Sequence, residues 1–186
     1  MMKKLAVVFP GIGYHADKPL LYYGARFARA QGYEIRSVRY PALPGGIRED
    51  AAKRAEAVRL VCGAAEAQLG GIDWAAYGDV LFLSKSIGTA AAARLAAVHG
   101  LAPRQVYFTP LSETFDGLTG GGIVFHGTAD PWAETAVIRR ACAAHGLPLY
   151  ETEGANHSLE TGDVLRDLDI LRAVMSRTAE YLAAAR

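Results

Sequence analysis

The stretch Val80-Leu81-Phe82-Leu83-Ser84-Lys85-Ser86-Ile87-Gly88-Thr89 joins an apolar run to an alanine-rich segment that continues to Val98. The apolar run predicts a buried strand, and the alanine-rich segment predicts a helix. Ser86 therefore falls on the turn between them, with the small residues Ser84 and Gly88 as its second neighbours. A tight turn of this kind exposes a hydroxyl at the carboxyl edge of a parallel sheet, where a nucleophile can act.

The turn requires small residues because the backbone before the serine lies against the start of the following helix. The usual pattern is Gly-x-Ser-x-Gly, and here Ser84 replaces the first glycine. Serine keeps the small size but gives up the freedom to adopt positive φ. The same string also fits a serine that only caps the helix after a strand. The motif alone therefore leaves both interpretations of Ser86 open.

A serine hydroxyl needs a base to take its proton and an acid to orient that base. The run Gly122-Ile123-Val124-Phe125 predicts a buried strand, and the loop His126-Gly127-Thr128-Ala129-Asp130-Pro131-Trp132 follows it. A shorter apolar stretch, residues 147–150, leads into a loop that contains His157. Asp130 is the candidate acid and His157 the candidate base.

The order Ser86, Asp130, His157, with each residue on a loop that follows a strand, resembles the α/β-hydrolase superfamily. The strings His126-Gly127-Thr128-Ala129-Asp130 and Gly154-Ala155-Asn156-His157-Ser158 are similar to the acid and histidine loops of its small esterase-like members. The resemblance covers nearly the whole chain. It implies acyl transfer on a small-molecule ester or thioester, through a Ser-His-Asp triad and an acyl-enzyme, with no metal and no organic cofactor.

The first loop, Phe9-Pro10-Gly11-Ile12-Gly13-Tyr14, stands where many members of the superfamily carry a His-Gly-x string that forms half of the oxyanion hole. Here Pro10 replaces that histidine. The resemblance implies the backbone amide of Ile12, or alternatively that of Gly13, as one donor to the oxyanion. It implies the backbone amide of Ile87 as the other donor.

Strand-like and helical segments alternate along the chain, which predicts one α/β domain over residues 1–186, a three-layer α/β/α sandwich with about six mostly parallel strands. The predicted strands are about 4–9, 33–38, 79–84, 105–108, 121–125 and 147–151, and the predicted helices about 19–31, 48–69, 87–99, 133–145 and 163–185. In the last helix an apolar stripe predicts a core face formed by Val164, Leu168, Leu171, Met175 and Leu182.

The resemblance places the first strand beside the Ser86 strand. It also implies a minimal fold without a cap domain, because the connection from Thr109 to Gly120, where many relatives insert a lid, is short. A lidless site favours small or soluble acyl groups. Trp132 and Phe115 are candidates for its apolar walls. Tyr14 and Lys85 are candidates for substrate contacts, with a solvated Lys85 side chain as the alternative.

Charge and composition exclude several other classes of function. The 186 residues include 20 basic and 19 acidic side chains, a net charge of +1, so no nucleic-acid or membrane partner is expected. The apolar run after the basic start is too short for a secretory signal. Cys62 and Cys142 lie in helical stretches without metal-ligand spacing, so we expect buried thiols and a reducing cytoplasm. The sequence does not predict the oligomeric state.

Other polar residues have plainer interpretations. Of the histidines, His15 is expected at the surface, His99 and His145 at helix ends, and His126 as a support rather than a base. In the superfamily some members place the carboxylate one strand earlier, which leaves Asp116 as an alternative acid.

Two functions of other classes stay open. The string Gly11-Ile12-Gly13-Tyr14-His15-Ala16 fits the G-x-G-x-x-A fingerprint of dinucleotide binding, in which the helix opens within the glycines. Asp17-Lys18-Pro19 predicts a later helix start, and Arg39 rather than an acidic residue follows the second strand. The second alternative is a hydrolase fold that has lost catalysis and serves as a binding module.

Overall fold

The computed structural model describes residues 3–184 and contains a sheet of six parallel strands in the order β2-β1-β3-β4-β5-β6. The strands are β1 (Lys3–Phe9), β2 (Glu34–Ser37), β3 (Tyr77–Lys85), β4 (Arg104–Phe108), β5 (Gly122–Gly127) and β6 (Leu149–Thr152). The predicted α/β architecture with about six strands is confirmed, and every strand pairing in residues 3–184 is parallel.

Five α-helices connect or follow the strands: α1 (Pro19–Ala30), α2 (Ala51–Leu69), α3 (Ile87–Val98), α4 (Thr135–Ala144) and α5 (Val164–Ala183). Helix α2 begins three residues later than predicted because the Asp50 side chain accepts hydrogen bonds from Ala52 N–H and Lys53 N–H, which caps the helix. Two short 3₁₀ helices, Trp74–Ala76 and Ser112–Phe115, were not predicted. The predicted end of the last helix, residue 185, lies outside the described residues.

The helices cover both faces of the sheet because successive strand residues point to opposite sides. In β1 and β3 the residues Leu5, Val7 and Phe82 pack against α2 and α3. Their neighbours Ala6 and Leu81 pack against α1 and α5. A third cluster packs α4 on residues of β4 and β5. The result is the predicted three-layer sandwich.

The predicted core face of α5 is wrong over its first two turns. Val164 and Leu168 are 71% and 58% exposed. The helix joins the core only from residue 170 onward, and its buried positions are Val174, Met175, Thr178 and Leu182. The first turns extend beyond the part of α5 that packs on the sheet, so an apolar stripe alone overestimated the length of the contact.

Two features of this frame position the site. The pairing of Phe9 with Ser84 brings the first loop beside the turn that carries Ser86, as predicted. The connection between β4 and β5 contains only the 3₁₀ helix Ser112–Phe115, so no lid is inserted there. Within residues 3–184, no helix has the length and apolarity needed to span a bilayer.

Candidate active site

Ser86 occupies a strained turn between β3 and α3. Its φ of 55° and ψ of −129° lie in a region that a residue with a side chain seldom adopts, at a cost of roughly 1–3 kcal/mol. Ser86 N–H donates to the Phe108 carbonyl at 3.0 Å, which ties the turn to the neighbouring strand. The Ser86 side chain makes no capping hydrogen bond to α3. The interpretation of this serine as only a helix cap is therefore wrong.

The small residues around Ser86 are required by close packing, as predicted. A Cβ atom at Gly88 would lie 2.3 Å from the Pro10 carbonyl oxygen and 2.4 Å from the Phe9 carbonyl oxygen. Ser84 is fully buried, and its hydroxyl donates to the Val106 carbonyl at 3.2 Å. The first loop and the start of α3 thus leave no room for larger side chains.

Ser86, His157 and Asp130 form one continuous chain of hydrogen bonds. The distance from His157 Nε2 to Ser86 Oγ is 2.7 Å, and that from His157 Nδ1 to Asp130 Oδ2 is also 2.7 Å. Asp130 lies in the turn after β5, and His157 lies in the loop after β6. The sheet therefore brings together three side chains that are 27 and 71 positions apart in sequence.

The Asp130 carboxylate is fully buried and its two oxygens are both used. Oδ2 accepts from His157, and Oδ1 accepts from Trp132 N–H at 2.8 Å. Behind it, buried His126 bonds through Nε2 to the Thr135 hydroxyl at 3.0 Å, while its Nδ1 lies 3.9 Å from Asp130 Oδ2. Burial lowers the pKa of His126. His126 thus lies behind the carboxylate without a hydrogen bond to it and does not contact Ser86, so its expected role as a support stays a prediction.

The surroundings of His157 favour the neutral imidazole. Burial is the main cause that lowers the pKa of His157, and the hydrogen bond with Asp130 opposes it. The ammonium of Lys85 lowers the pKa further. The Trp132 indole stacks on the imidazole with ring centroids 5.5 Å apart. A neutral ring that keeps its proton on Nδ1, toward Asp130, leaves Nε2 free to accept the Ser86 proton.

Three backbone amides close to Ser86 have no internal acceptor within residues 3–184. The amides of Gly11 and Tyr14 donate to each other's carbonyls at 3.0 and 3.3 Å, which folds the first loop back on itself. The amides of Ile12 and Gly13, between them, make no such bond in that part of the chain. Ile87 is the first residue of α3, where helix geometry provides no acceptor.

A cleft of about 1150 Å³ opens beside the first loop. Its walls are the first loop, the segment 37–49 that precedes α2, and Trp132. The segment 37–49 was not among the residues predicted from the sequence to form a site. Its proline and glycine content, at Pro41, Pro44, Gly45 and Gly46, is the signal of an irregular segment that could have drawn attention to it.

Of the four predicted substrate contacts, only Trp132 lines this cleft. Tyr14 is buried, and its hydroxyl accepts from Leu20 N–H at 3.1 Å. Phe115 packs into the core cluster under α4, with its ring 6.0 Å from that of His145. Both predictions are corrected, because the two aromatic side chains serve the packing of neighbouring helices.

The prediction for Lys85, a substrate contact or alternatively a solvated side chain, is also corrected. Its side chain is neither solvated nor directed into the cleft but is buried, with Nζ 2.6 Å from the Thr109 hydroxyl. Burial lowers the pKa of Lys85 to about 7, and the charges of Asp130 and Glu160 oppose that effect. The residue lies on the core side of the turn that carries Ser86.

The remaining candidates take the positions that were expected of them or lie elsewhere. His15 is exposed, 3.7 Å from the Asp17 carboxylate, at the rim of the cleft. His99 and His145 follow the last residues of α3 and α4. The alternative acid Asp116 is exposed at the end of the short 3₁₀ helix and is not bonded to His157. Helix α1 begins at Pro19, outside the glycines, unlike the helix of a dinucleotide fingerprint.

Sequence comparison finds no matching family model and no matching curated protein. Structural comparison finds clear neighbours at low identity. A serine hydrolase without a lid from Xanthomonas campestris is 15% identical, with a TM-score of 0.63 over 98% of this chain and 84% of that one. An esterase from Butyrivibrio proteoclasticus, whose structure contains ferulic acid, is 11% identical, with a TM-score of 0.67 over 99% and 92%.

A third neighbour, an esterase from Pyrococcus furiosus, is 14% identical, with a TM-score of 0.66 over 97% of this chain and 80% of that one. These likenesses concern the fold, which matches along nearly the whole length of the chain. The chain therefore has the α/β-hydrolase fold in a form without a lid.

Proposed function

We propose that this protein is a serine hydrolase that cleaves a small or soluble ester or thioester through an acyl-enzyme. The observation that carries the proposal is the chain of two 2.7 Å hydrogen bonds from Ser86 through His157 to Asp130. A hydroxyl in that position can be deprotonated by the imidazole as it attacks, and the carboxylate stabilises the imidazolium that forms.

In the acylation step, Ser86 Oγ bonds to the substrate carbonyl carbon while its proton passes to His157 Nε2. The amides of Ile87 and of Ile12 or Gly13 donate to the oxygen that becomes negative. The bond to the leaving group then breaks, and His157 returns the proton to the departing alkoxide or thiolate. Water attacks the acyl-enzyme in the same way, releases a carboxylic acid and restores the Ser86 hydroxyl.

The cleft favours a substrate that enters from solvent without a lid. Its lining combines apolar side chains such as Ile12 and Leu43 with the exposed cations Arg39 and Arg48. Trp132 joins this lining to the imidazole on which it stacks. These features support a compact acyl group with access to water rather than a long lipid chain enclosed by a cap.

The test is covalent labelling with a fluorophosphonate probe, followed by peptide mass spectrometry, with p-nitrophenyl acetate turnover measured in parallel. We expect label on Ser86 and turnover that falls at least about 10³-fold in Ser86→Ala and His157→Ala. Ser84→Ala is the matched control, because this buried serine lies two positions away and, within residues 3–184, its hydroxyl bonds only to the Val106 carbonyl. A folded protein that neither labels nor turns over would overturn the proposal in favour of a binding module without catalysis.

A further inference from the structure

One buried cation has no role in the acyl transfer proposed above. Lys85 is the last residue of β3 and is 1% exposed. Its ammonium donates to the Thr109 hydroxyl at 2.6 Å and lies 5.1 Å from the centre of the Tyr14 ring. Within residues 3–184 no carboxylate forms an ion pair with it. Burial of an ammonium without a paired charge is costly, so its retention next to the nucleophile calls for an explanation.

Thr109 connects this cation to the base. It is the first residue after β4, and its hydroxyl, which accepts from Lys85, donates to the main-chain carbonyl of His157 at 3.0 Å. Thr109 N–H donates to the Phe125 carbonyl at 2.8 Å, so its backbone is tied to β5. The φ of Thr109 is +43°, a conformation that β-branched residues rarely adopt. A strained threonine thus holds the main chain of the residue that accepts the proton.

The two hydrogen bonds from Lys85 through Thr109 to the His157 carbonyl form a relay. The charged groups around this relay belong to several elements. Asp130 and Glu160 attract the Lys85 ammonium, and burial opposes its charge. On the other side, burial raises the pKa of Tyr14 to about 12, so its phenol is neutral. The protonated form of His157 is repelled by Lys85 and by His126 when either of these is charged. The ring is also bonded to Asp130.

We propose that Lys85, acting through Thr109, is a positioning residue for the base His157. The buried ammonium fixes the direction of the Thr109 hydroxyl, and that hydroxyl fixes the main chain from which the imidazole extends. The same positive charge disfavours the imidazolium and so keeps the base unprotonated before attack. The catalytic consequence rests on the proposed hydrolase function, whereas the effect on the imidazole is measurable without any substrate.

The test is a proton and nitrogen NMR titration of the His157 ring in the wild-type protein, Lys85→Met, Thr109→Val and Thr109→Ser. The ring is assigned with His157→Gln. Thr178→Val is the matched control, because in the described part of the chain the hydroxyl of this buried threonine bonds only to the Val174 carbonyl, within α5. Thr109→Val removes the relay hydroxyl but keeps the shape and the Lys85 charge, so it carries the test even if Lys85→Met folds poorly.

We expect Lys85→Met to raise the pKa of His157 by about half a unit or more, since it removes a repelling charge. We expect Thr109→Val to weaken the downfield Nδ1 proton signal of the bond to Asp130, and Thr109→Ser to restore it. Thr178→Val should match the wild-type protein. If either Thr109→Val or a folded Lys85→Met leaves the imidazole unchanged, a link of the relay is absent and the inference is overturned.

Turnover of p-nitrophenyl acetate separates this inference from the proposed function. With Ser86-dependent turnover, Thr109→Val should lower kcat about tenfold with little change in KM, and Thr109→Ser should recover most of it. A wild-type protein without Ser86-dependent turnover contradicts the hydrolase function alone, and the ring titration still decides the relay.

Discussion

The Trp132 indole stacks on the His157 imidazole, with ring centroids 5.5 Å apart and planes inclined by 30°. The Trp132 backbone N–H also donates to the Asp130 carboxylate, which bonds to Nδ1 on the edge of the same imidazole. The Trp132 indole therefore limits the movement of the imidazole by contact with the face of the ring. The Trp132 main chain, through its N–H, fixes the Asp130 carboxylate that bonds to the edge of the same ring. The stacking contact is the part that a side-chain substitution can remove.

Trp132→Ala is expected to lower kcat/KM for p-nitrophenyl acetate by about tenfold, because the imidazole gains freedom to leave the line between Ser86 and Asp130. Trp132→Phe keeps a stacking surface and should retain most of the activity. Steady-state kinetics of the two variants measure the difference, with circular dichroism as a check on folding. Equal activity in both variants would show that the stacking does not position the base.

Gly88→Ala is expected to destabilise the fold by at least about 2 kcal/mol, because the new Cβ meets two carbonyl oxygens of the first loop at 2.3 and 2.4 Å. Urea denaturation measures the change in unfolding free energy. Gly63→Ala is the matched control: Gly63 lies exposed in α2, and apart from its chain neighbours and the adjacent helix backbone no atom of residues 3–184 would lie within 4 Å of an added Cβ. That change should stabilise the protein by about 0.5–1 kcal/mol.

The turn around Ser86 was predictable because its constraints are local. An apolar strand, a helix and two small neighbours of Ser86 lie within ten positions, and the packing at Gly88 bears them out. The placing of Asp130 and His157 was predictable for another reason. Parallel strands end at one edge of a sheet, so loops far apart in sequence converge there.

The burial of Lys85 follows from its place in β3, which is covered on both faces, and not from its residue type. Residues two apart on a strand share a face, so Lys85 lies on the side of Leu83 and Leu81, in the core that contains Tyr14. Because β3 is covered on both sides, either direction would have buried the lysine. The coverage of both faces of the sheet, which the alternation of strands and helices predicts, was the signal that could have corrected both expectations for Lys85, a substrate contact or a solvated side chain.

Phe115 and the segment 37–49 were not placed by the sequence because no periodic pattern runs through them. Each is irregular, and its path is fixed by a few distant contacts. Phe115 packs under α4, and Ile47 is buried in the cluster of α2 and α3. Such contacts arise only once the helices have packed on the sheet.

Asp130→Asn is expected to lower kcat by about 10³–10⁴-fold, because an amide cannot stabilise the imidazolium and no longer fixes the proton on Nδ1. Asp116→Asn should leave kcat within about twofold, since that carboxylate is exposed and separate from the imidazole. Steady-state kinetics with p-nitrophenyl acetate measure kcat in both variants. If kcat fell strongly in Asp116→Asn and little in Asp130→Asn, Asp116 and not Asp130 would be the acid that supports the imidazole.

The pH dependence of kcat/KM should show an acid limb below the ordinary imidazole pKa of about 6.5. The base must be unprotonated to accept the Ser86 proton, and burial lowers the pKa of His157, so the active form persists to lower pH than for a free imidazole. Activity measured from about pH 4.5 to 8 gives the midpoint of the limb. A midpoint above about 6.5 contradicts the prediction, because the carboxylate would then outweigh burial.

Lys85→Met is expected to stabilise the fold most at low pH. Burial lowers the pKa of Lys85 from 10.5 to about 7, so between these values the unfolded chain binds the lysine proton and the folded protein releases it. The stability of the wild-type protein therefore gains a contribution that grows as pH rises from about 7 to 10.5 and is absent below that range. Methionine has no such proton to lose.

The difference in unfolding free energy between Lys85→Met and wild type should consequently be largest near pH 6, of the order of several kcal/mol, and shrink toward pH 10. Urea denaturation across this range measures it, and titrating groups that do not interact with Lys85 cancel because both proteins contain them. Lys53→Met, a change at an exposed lysine of α2, should follow the wild-type protein at every pH. A constant difference would mean that Lys85 does not change its protonation on folding. If Lys85→Met is more stable than the wild-type protein but turns over less substrate, the buried cation contributes to the function of His157 and not to the stability of the fold.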